Sequence, residues 1–210
     1  WYYYLHTGDR ETMKYVYPAV RRYLDLWKLD DDGLTEYRTG DWSWGDWGTQ
    51  IDLRMILASW HYLALQSAIN MAEVTGNEAD IAGYQEIRKS IYESFNRCWN
   101  GYCYRHPSYL GATDDRIHAM AVLSGLADES KYETIFNVFQ QQEYASPYME
   151  KYILRPRCMC IRILVAPVSI AAIICMGINV RNTILNTCYY GRVIISAIAL
   201  EIIKNKIPWE

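Results

Sequence analysis

The chain has 210 residues, a formal charge of -3 and a pI of about 5.8, so it has no basic face to hold a phosphate backbone and nucleic acid is excluded as a partner. Its six cysteines lack metal-ligand spacing, no His pair completes a site, and the irregular spacings in a chain this long argue against a disulfide framework. The aromatic content is 19 Tyr and 8 Trp against 3 Phe, so most rings carry a polar tip suited to a wet, ring-stacking cleft as well as to a core.

The chain opens at Trp1 without a basic n-region or an apolar h-region, and reads as the middle of a longer protein. From Gly8 to about residue 155 the pattern is helix and loop, with strands scarce. Met13, Val16, Val20, Leu24 and Trp27 recur at helical spacing and predict an amphipathic helix over 9–28, kinked by Pro18 and ended by Asp30-Asp31-Asp32-Gly33. Asp52 is expected to cap a second helix that Gly76 stops. Its apolar face (Met55, Ile56, Trp60, Leu63, Ala64, Ala68, Met71) is wide enough for neighbours on several sides. A third helix over 79–97 carries Ile81, Tyr84, Ile87, Ile91 and Phe95 on one stripe and charge elsewhere, the pattern of an outer helix.

Asn100-Gly101 between Trp99 and Tyr102 predicts a short hairpin ribbon. Thr113 is then expected to cap a fourth helix with Asp114 and Asp115 in its first turn; a fifth covers 130–141 and Ser146-Pro147 starts a sixth. After about residue 155 the composition changes: from 151 to 210 Asp is absent, Glu stands only at 201 and 210, and four of the six Cys crowd in. Domains are therefore drawn at 1–155, a helical unit, and 156–210, a compositionally distinct tail. Within the tail, 163–180 is free of charge and just long enough for a membrane span, but Pro167, Ser169, Gly177 and Asn179 weigh against one. A pair of buried strands and a displaced or out-of-frame C-terminus are the other readings, and the last is preferred.

The most informative segment is Gly40-Asp41-Trp42-Ser43-Trp44-Gly45-Asp46-Trp47-Gly48, which suits neither a helix nor an alternating strand. Trp faces stack on sugar C–H faces while carboxylates accept bonds from sugar hydroxyls, so Asp41, Trp42, Trp44, Asp46 and Trp47 are candidate sugar contacts. The bland alternative is a loop whose tryptophans plug the core and whose acids cap helices. Asp114, Asp115 and Arg116 form a second candidate group at a helix start, where the bland reading is capping plus a surface salt bridge. Glu150 is a weaker candidate. The sequence contains no nucleophile elbow, P-loop, dinucleotide fingerprint or HExxH, and Lys28 to Thr39 fails as a calcium loop, so no cofactor or metal is implied.

Tyr4-Leu5-His6-Thr7-Gly8-Asp9, Gly40 to Gly48, Trp60 to Leu65, Met71 to Gly76, Gly111 to Arg116 and Ser146 to Tyr152 resemble, in order, the catalytic domain of family-78 glycoside hydrolases, the α-L-rhamnosidases. The resemblance covers residues 1–155 and implies an all-α (α/α)6 toroid of twelve helices, of which this chain would hold about half. It also implies a carbohydrate substrate, an inverting reaction with carboxyls roughly 6.5 to 9.5 Å apart, and export to a periplasmic or extracellular place. The family's general acid falls upstream of the position of Tyr4 and its general base far downstream, so neither is carried over. The resemblance thus implies substrate contacts only, with the remainder of the toroid as a partner and this piece inactive alone. Readings from other classes are a non-catalytic sugar-binding fragment, another six-hairpin glycosidase and a membrane-attached protein.

Overall fold

The structure, a computed structural model, describes residues 1–38, 40 and 44–164, the last four by backbone alone. Its compact unit spans Trp1–Ile163. Among the described residues there are seven α-helices: α1 (Tyr2–Thr7), α2 (Arg10–Leu24), α3 (Leu53–Thr75), α4 (Ile81–Arg97), α5 (Asp115–Ser124), α6 (Tyr132–Gln141) and α7 (Pro147–Leu164). Among the described residues pairing outside helices is limited to two isolated antiparallel bridges, Leu29 with Thr35 and Trp99 with Tyr104.

The first predicted helix, over 9–28, is α2, and a short helix that the periodicity does not announce, α1, precedes it. Gly8 takes φ 69, a left-handed stop after α1, and the Asp9 carboxylate then accepts the Thr12 amide hydrogen bond as the cap of α2. Nor do the three aspartates end α2, which stops at Leu24. They form a turn instead, with Gly33 N–H donating to the Asp30 carbonyl and Asp32 N–H to the Asp30 carboxylate. The third helix is shorter than expected, because a 3-10 turn over Glu78–Asp80 precedes α4. The Asn100-Gly101 ribbon shrinks to the single Trp99–Tyr104 bridge, since the Asn100 side chain takes up the Tyr102 and Cys103 amides that a longer ladder would need. At the fourth helix the cap is Asp114, one residue after Thr113, because its carboxylate is the group that accepts the Arg116 amide.

Asp52 caps α3 and Gly76 ends it in the left-handed region at φ 79, as the sequence predicts. The wide apolar face of α3 is used on three sides, against α2, α4 and α5. α3 and α5 are inner helices: α5 is buried along almost its whole length, from Asp115 to Val122. α2, α4 and α6 keep one wet face each and lie outside, so the chain folds as successive outer–inner hairpins. The core gathers Met55, Ile56, Leu65, Ile91, Phe95, Ile117, Met120, Ile135 and Phe139 between the layers.

α7 runs across residue 155, the drawn domain boundary, with Pro156 inside it. The tail readings, including the 163–180 span, lie outside the described residues, apart from the end of α7. No helix among the described residues is long and apolar enough to cross a membrane.

Candidate sugar-binding site

The N-terminal ends of the inner helices are tied together by acids that cap them. Asp52, the α3 cap, receives the His106 amide at 2.7 Å on one oxygen, and its own N–H donates to the Asp114 carboxylate, the α5 cap, at 3.2 Å. The two capped ends therefore lie side by side, and since α3 and α5 also pack on each other their positive dipole ends meet on one face. Ser146, just before α7, joins the same face: its N–H donates to Asp46 at 2.9 Å and its hydroxyl donates to the other Asp46 oxygen.

Arg116 links these parts and is fully buried. Its Nε donates to Asp114 at 2.7 Å, Nη1 to Asp46 at 3.2 Å, and Nη2 to the Gln50 carbonyl at 2.9 Å. The surface salt bridge expected of this arginine is therefore a buried triad, Asp46–Arg116–Asp114, which a sequence cannot show because Asp46 lies 70 positions away. Burial pushes the Asp46 carboxyl up, but the Ser146 hydroxyl and amide, the Trp47 amide and Arg116 outweigh it and hold it below the usual carboxylate range. Burial also works against the guanidinium charge, and Asp114 and Asp46 more than offset that, keeping Arg116 above its ordinary value. For Asp114 burial wins over the pull of Arg116 and raises it to about 6.

Below Asp114, His118 is buried and neutral. Its Nε2 accepts the Tyr104 amide at 2.9 Å, so the ring proton is on Nδ1, which donates to the Asp114 carbonyl at 2.7 Å. Burial brings its pKa down to about 4.

Over this clamp lies a run of aromatic rings. Trp47, Trp44, Tyr148, Tyr152 and Trp60 follow one another with centroid separations of 6.2, 5.9, 6.0 and 5.2 Å. Trp47 is 65% exposed, Trp44 48% and Tyr148 44%, so the outer part of the run offers open ring faces. The alternative that the loop tryptophans plug the core does not describe these two.

The candidate residues therefore divide. Trp44 and Trp47 stand on the surface; Asp46, Asp114 and Arg116 are spent on one another; Asp41 and Trp42 lie outside the described residues. Asp115 is 1% exposed, and one of its oxygens accepts the Tyr144 amide at 3.2 Å, while the other has no partner among the described residues. Burial raises its carboxyl, and that of the neighbouring Glu150 on α7. Tyr148, Tyr152, Trp60 and Ser146 were not predicted as part of the site. The i, i+4 spacing of Tyr148 and Tyr152 after a helix start was the signal available for them.

A separate cleft of about 390 Å³ is lined by Asp30, Asp31, Asp32, Arg54, His106 and Ser108. Arg54 is ion-paired there with Asp30 and, at 3.5 Å, with Asp32, so the arginine of the lining is shared between two of its three aspartates. No group of His, Cys, Asp and Glu among the described residues is arranged to hold a metal ion.

Comparison with known proteins accounts for this architecture. One solved structure, a GH78 family rhamnosidase of Bacillus sp. GL1, matches 78% of the chain with a TM-score of 0.61 at 19% identity, a likeness of fold. The match spans 19% of that rhamnosidase's chain. No curated protein is similar enough to match. The outer–inner hairpins are those of a partial (α/α)6 toroid. A family model for the bacterial alpha-L-rhamnosidase 6 hairpin glycosidase domain matches residues 1–146, the greater part of the sequence, and the chain belongs to that glycosidase family.

Proposed function

We propose that the chain is the sugar-facing part of an inverting α-L-rhamnosidase that removes terminal rhamnose from glycans or glycosides. The observation that carries this reading is the exposed run Trp47–Trp44–Tyr148 at the face where the inner helices begin. Ring faces of that kind gain most from the C–H face of a pyranose, and the adjacent N-terminal ends favour the electron-rich oxygens of a sugar. In this reading Trp44 and Trp47 stack on the substrate, Asp41 and Trp42 are further contacts to it, and the buried Asp115 holds the approach to α7 through the Tyr144 amide. Asp46, Asp114 and Arg116 support the site from below.

The proton-transfer acid and base of the reaction lie, in this proposal, outside residues 1–155, so the chain by itself binds and does not turn over. Loss of an acid or base costs about 10²- to 10⁴-fold each, which puts hydrolysis by the isolated chain below detection. Titration of tryptophan fluorescence with L-rhamnose and with D-glucose, alongside release of p-nitrophenol from its α-L-rhamnoside, tests the proposal. Saturable quenching by rhamnose, abolished in Trp44→Ala, with no release of p-nitrophenol, is expected. Preference for glucose would transfer the chain to another glycosidase specificity, and absence of any sugar response would refute the reading.

A further inference from the structure

Three observations on the loop beneath the aromatic run point the same way. The first is the occupancy of Asp46. The residue is 4% exposed, and its carboxylate takes the Ser146 amide at 2.9 Å, the Ser146 hydroxyl, and Arg116 Nη1 at 3.2 Å. A carboxylate has about four acceptor sites, so few remain for a ligand.

The second is the far end of the same loop. Arg116 Nη2 also holds the carbonyls of Thr49 at 3.5 Å and Gln50 at 2.9 Å, and the Gln50 side-chain carbonyl accepts the Ala112 amide at 2.6 Å. Gln50 sits at φ 60, a left-handed conformation that a residue with a side chain adopts at a cost, so contacts rather than local preference set the path of the chain.

The third is the room left at Gly45, between Trp44 and Asp46. A Cβ there would meet Ile51 at 2.8 Å and Ile56 at 3.0 Å. The backbone between the two tryptophans is thus pressed onto the start of α3 and tied at Asp46 to both α5 and α7.

We infer that Asp46 is a positioning residue: it holds Trp44 and Trp47 as a pre-formed shelf by anchoring their loop to Arg116 and Ser146, and it does not itself contact the sugar. This rests on the reading of that shelf as the sugar site. A shelf ordered before binding loses little freedom when a sugar stacks on it, whereas an unanchored loop must be ordered by the ligand.

The test compares the 210-residue chain with Asp46→Asn, Ser146→Ala and a control, Ile91→Val, which weakens the core away from the shelf. Two readouts are followed: the exciton couplet of the Trp44–Trp47 pair in circular dichroism, identified by its loss in Trp47→Phe, and the affinity for L-rhamnose. Asp46→Asn and Ser146→Ala are expected to shrink the couplet and weaken rhamnose binding roughly tenfold while the helical signal is kept. Ile91→Val is expected to leave both unchanged. Should Asp46→Asn fail to fold, Ser146→Ala carries the test, because it keeps every charge of the clamp. The inference is overturned if the couplet and the affinity survive in Ser146→Ala, or if Ile91→Val diminishes them equally. A couplet that responds in a chain that never binds rhamnose upholds the positioning role and refutes the sugar reading alone.

Discussion

Replacing Arg116 by methionine, which fills similar space without charge, tests whether the buried triad holds the inner-helix face together. The substitution removes donors to Asp114 at 2.7 Å, to Asp46 at 3.2 Å and to the Gln50 carbonyl at 2.9 Å, and leaves two carboxylates that are 1% and 4% exposed without a counter-charge. Breaking a buried pair from one side costs about 3–5 kcal/mol, against a total of roughly 5–15 kcal/mol for a typical domain, so the variant should be folded marginally or not at all at neutral pH. The sign of the pH dependence is specific. In the wild type the Asp46 carboxyl is held below its ordinary value, so its stabilisation is present above pH 3.8 and is lost as the pH falls through the lowered value. In the variant both carboxyls lie above their unfolded values, a penalty that acid removes. The gap between the two proteins should therefore narrow from pH 7 to pH 5. Urea denaturation followed by far-UV circular dichroism at the two pH values measures it. A gap below about 1 kcal/mol at pH 7, or one that widens on acidification, would refute the argument.

Other outcomes follow from the same face and core. His61 and His118 are both buried with pKa values brought down to about 4 from 6.5, so the unfolded chain takes up protons first as pH falls below 6.5; each contributes a loss of about 3 kcal/mol by pH 4. Asp114, raised to about 6, works in the opposite direction over the same window, as do Asp52, Asp115 and Glu150, whose carboxyls burial also raises. His118→Gln should flatten the fall in the denaturation midpoint between pH 6.5 and 4, and an unchanged slope would count against the buried neutral ring. Gly45→Ala should lower stability by about 1–3 kcal/mol, measured as the thermal midpoint, because the added methyl meets Ile51 and Ile56; a variant as stable as the parent would show that those side chains give way freely.

The helices were legible in the sequence where periodicity and capping chemistry agree. Asp52 and Gly76 bound α3 to the residue, and the charged stripe of α4 marks it as outer. Local signals failed where two competed within a few residues. Residues 2–7 form a helix ahead of the first periodic stretch, and the aspartates at 30–32 mark a turn rather than a helix end. The loop of tryptophans stood out by composition, but composition does not separate residues that meet solvent from those that hold others in place. Trp44 and Trp47 are of the first kind and Asp46 of the second, and the difference rests on Arg116 and Ser146, far away in the chain. Tyr148 and Tyr152 were hidden for the same reason, since their relation to Trp44 exists only once α7 is in place.

The bond between Asp46 and Ser146 closes across 100 residues, and this bears on the order in which the molecule assembles. The tryptophan loop and its arginine are made before α7, and the anchor at Ser146 arrives only when the start of α7 reaches the same face. Contacts of such long range form late, after the local helical hairpins have docked. Until then the loop is held by Arg116 and by its packing on the start of α3, while two of the bonds to the Asp46 carboxylate are still unmade. The aromatic shelf is accordingly complete only once α7 has docked, and its ordered state reports that three successive hairpins have come together.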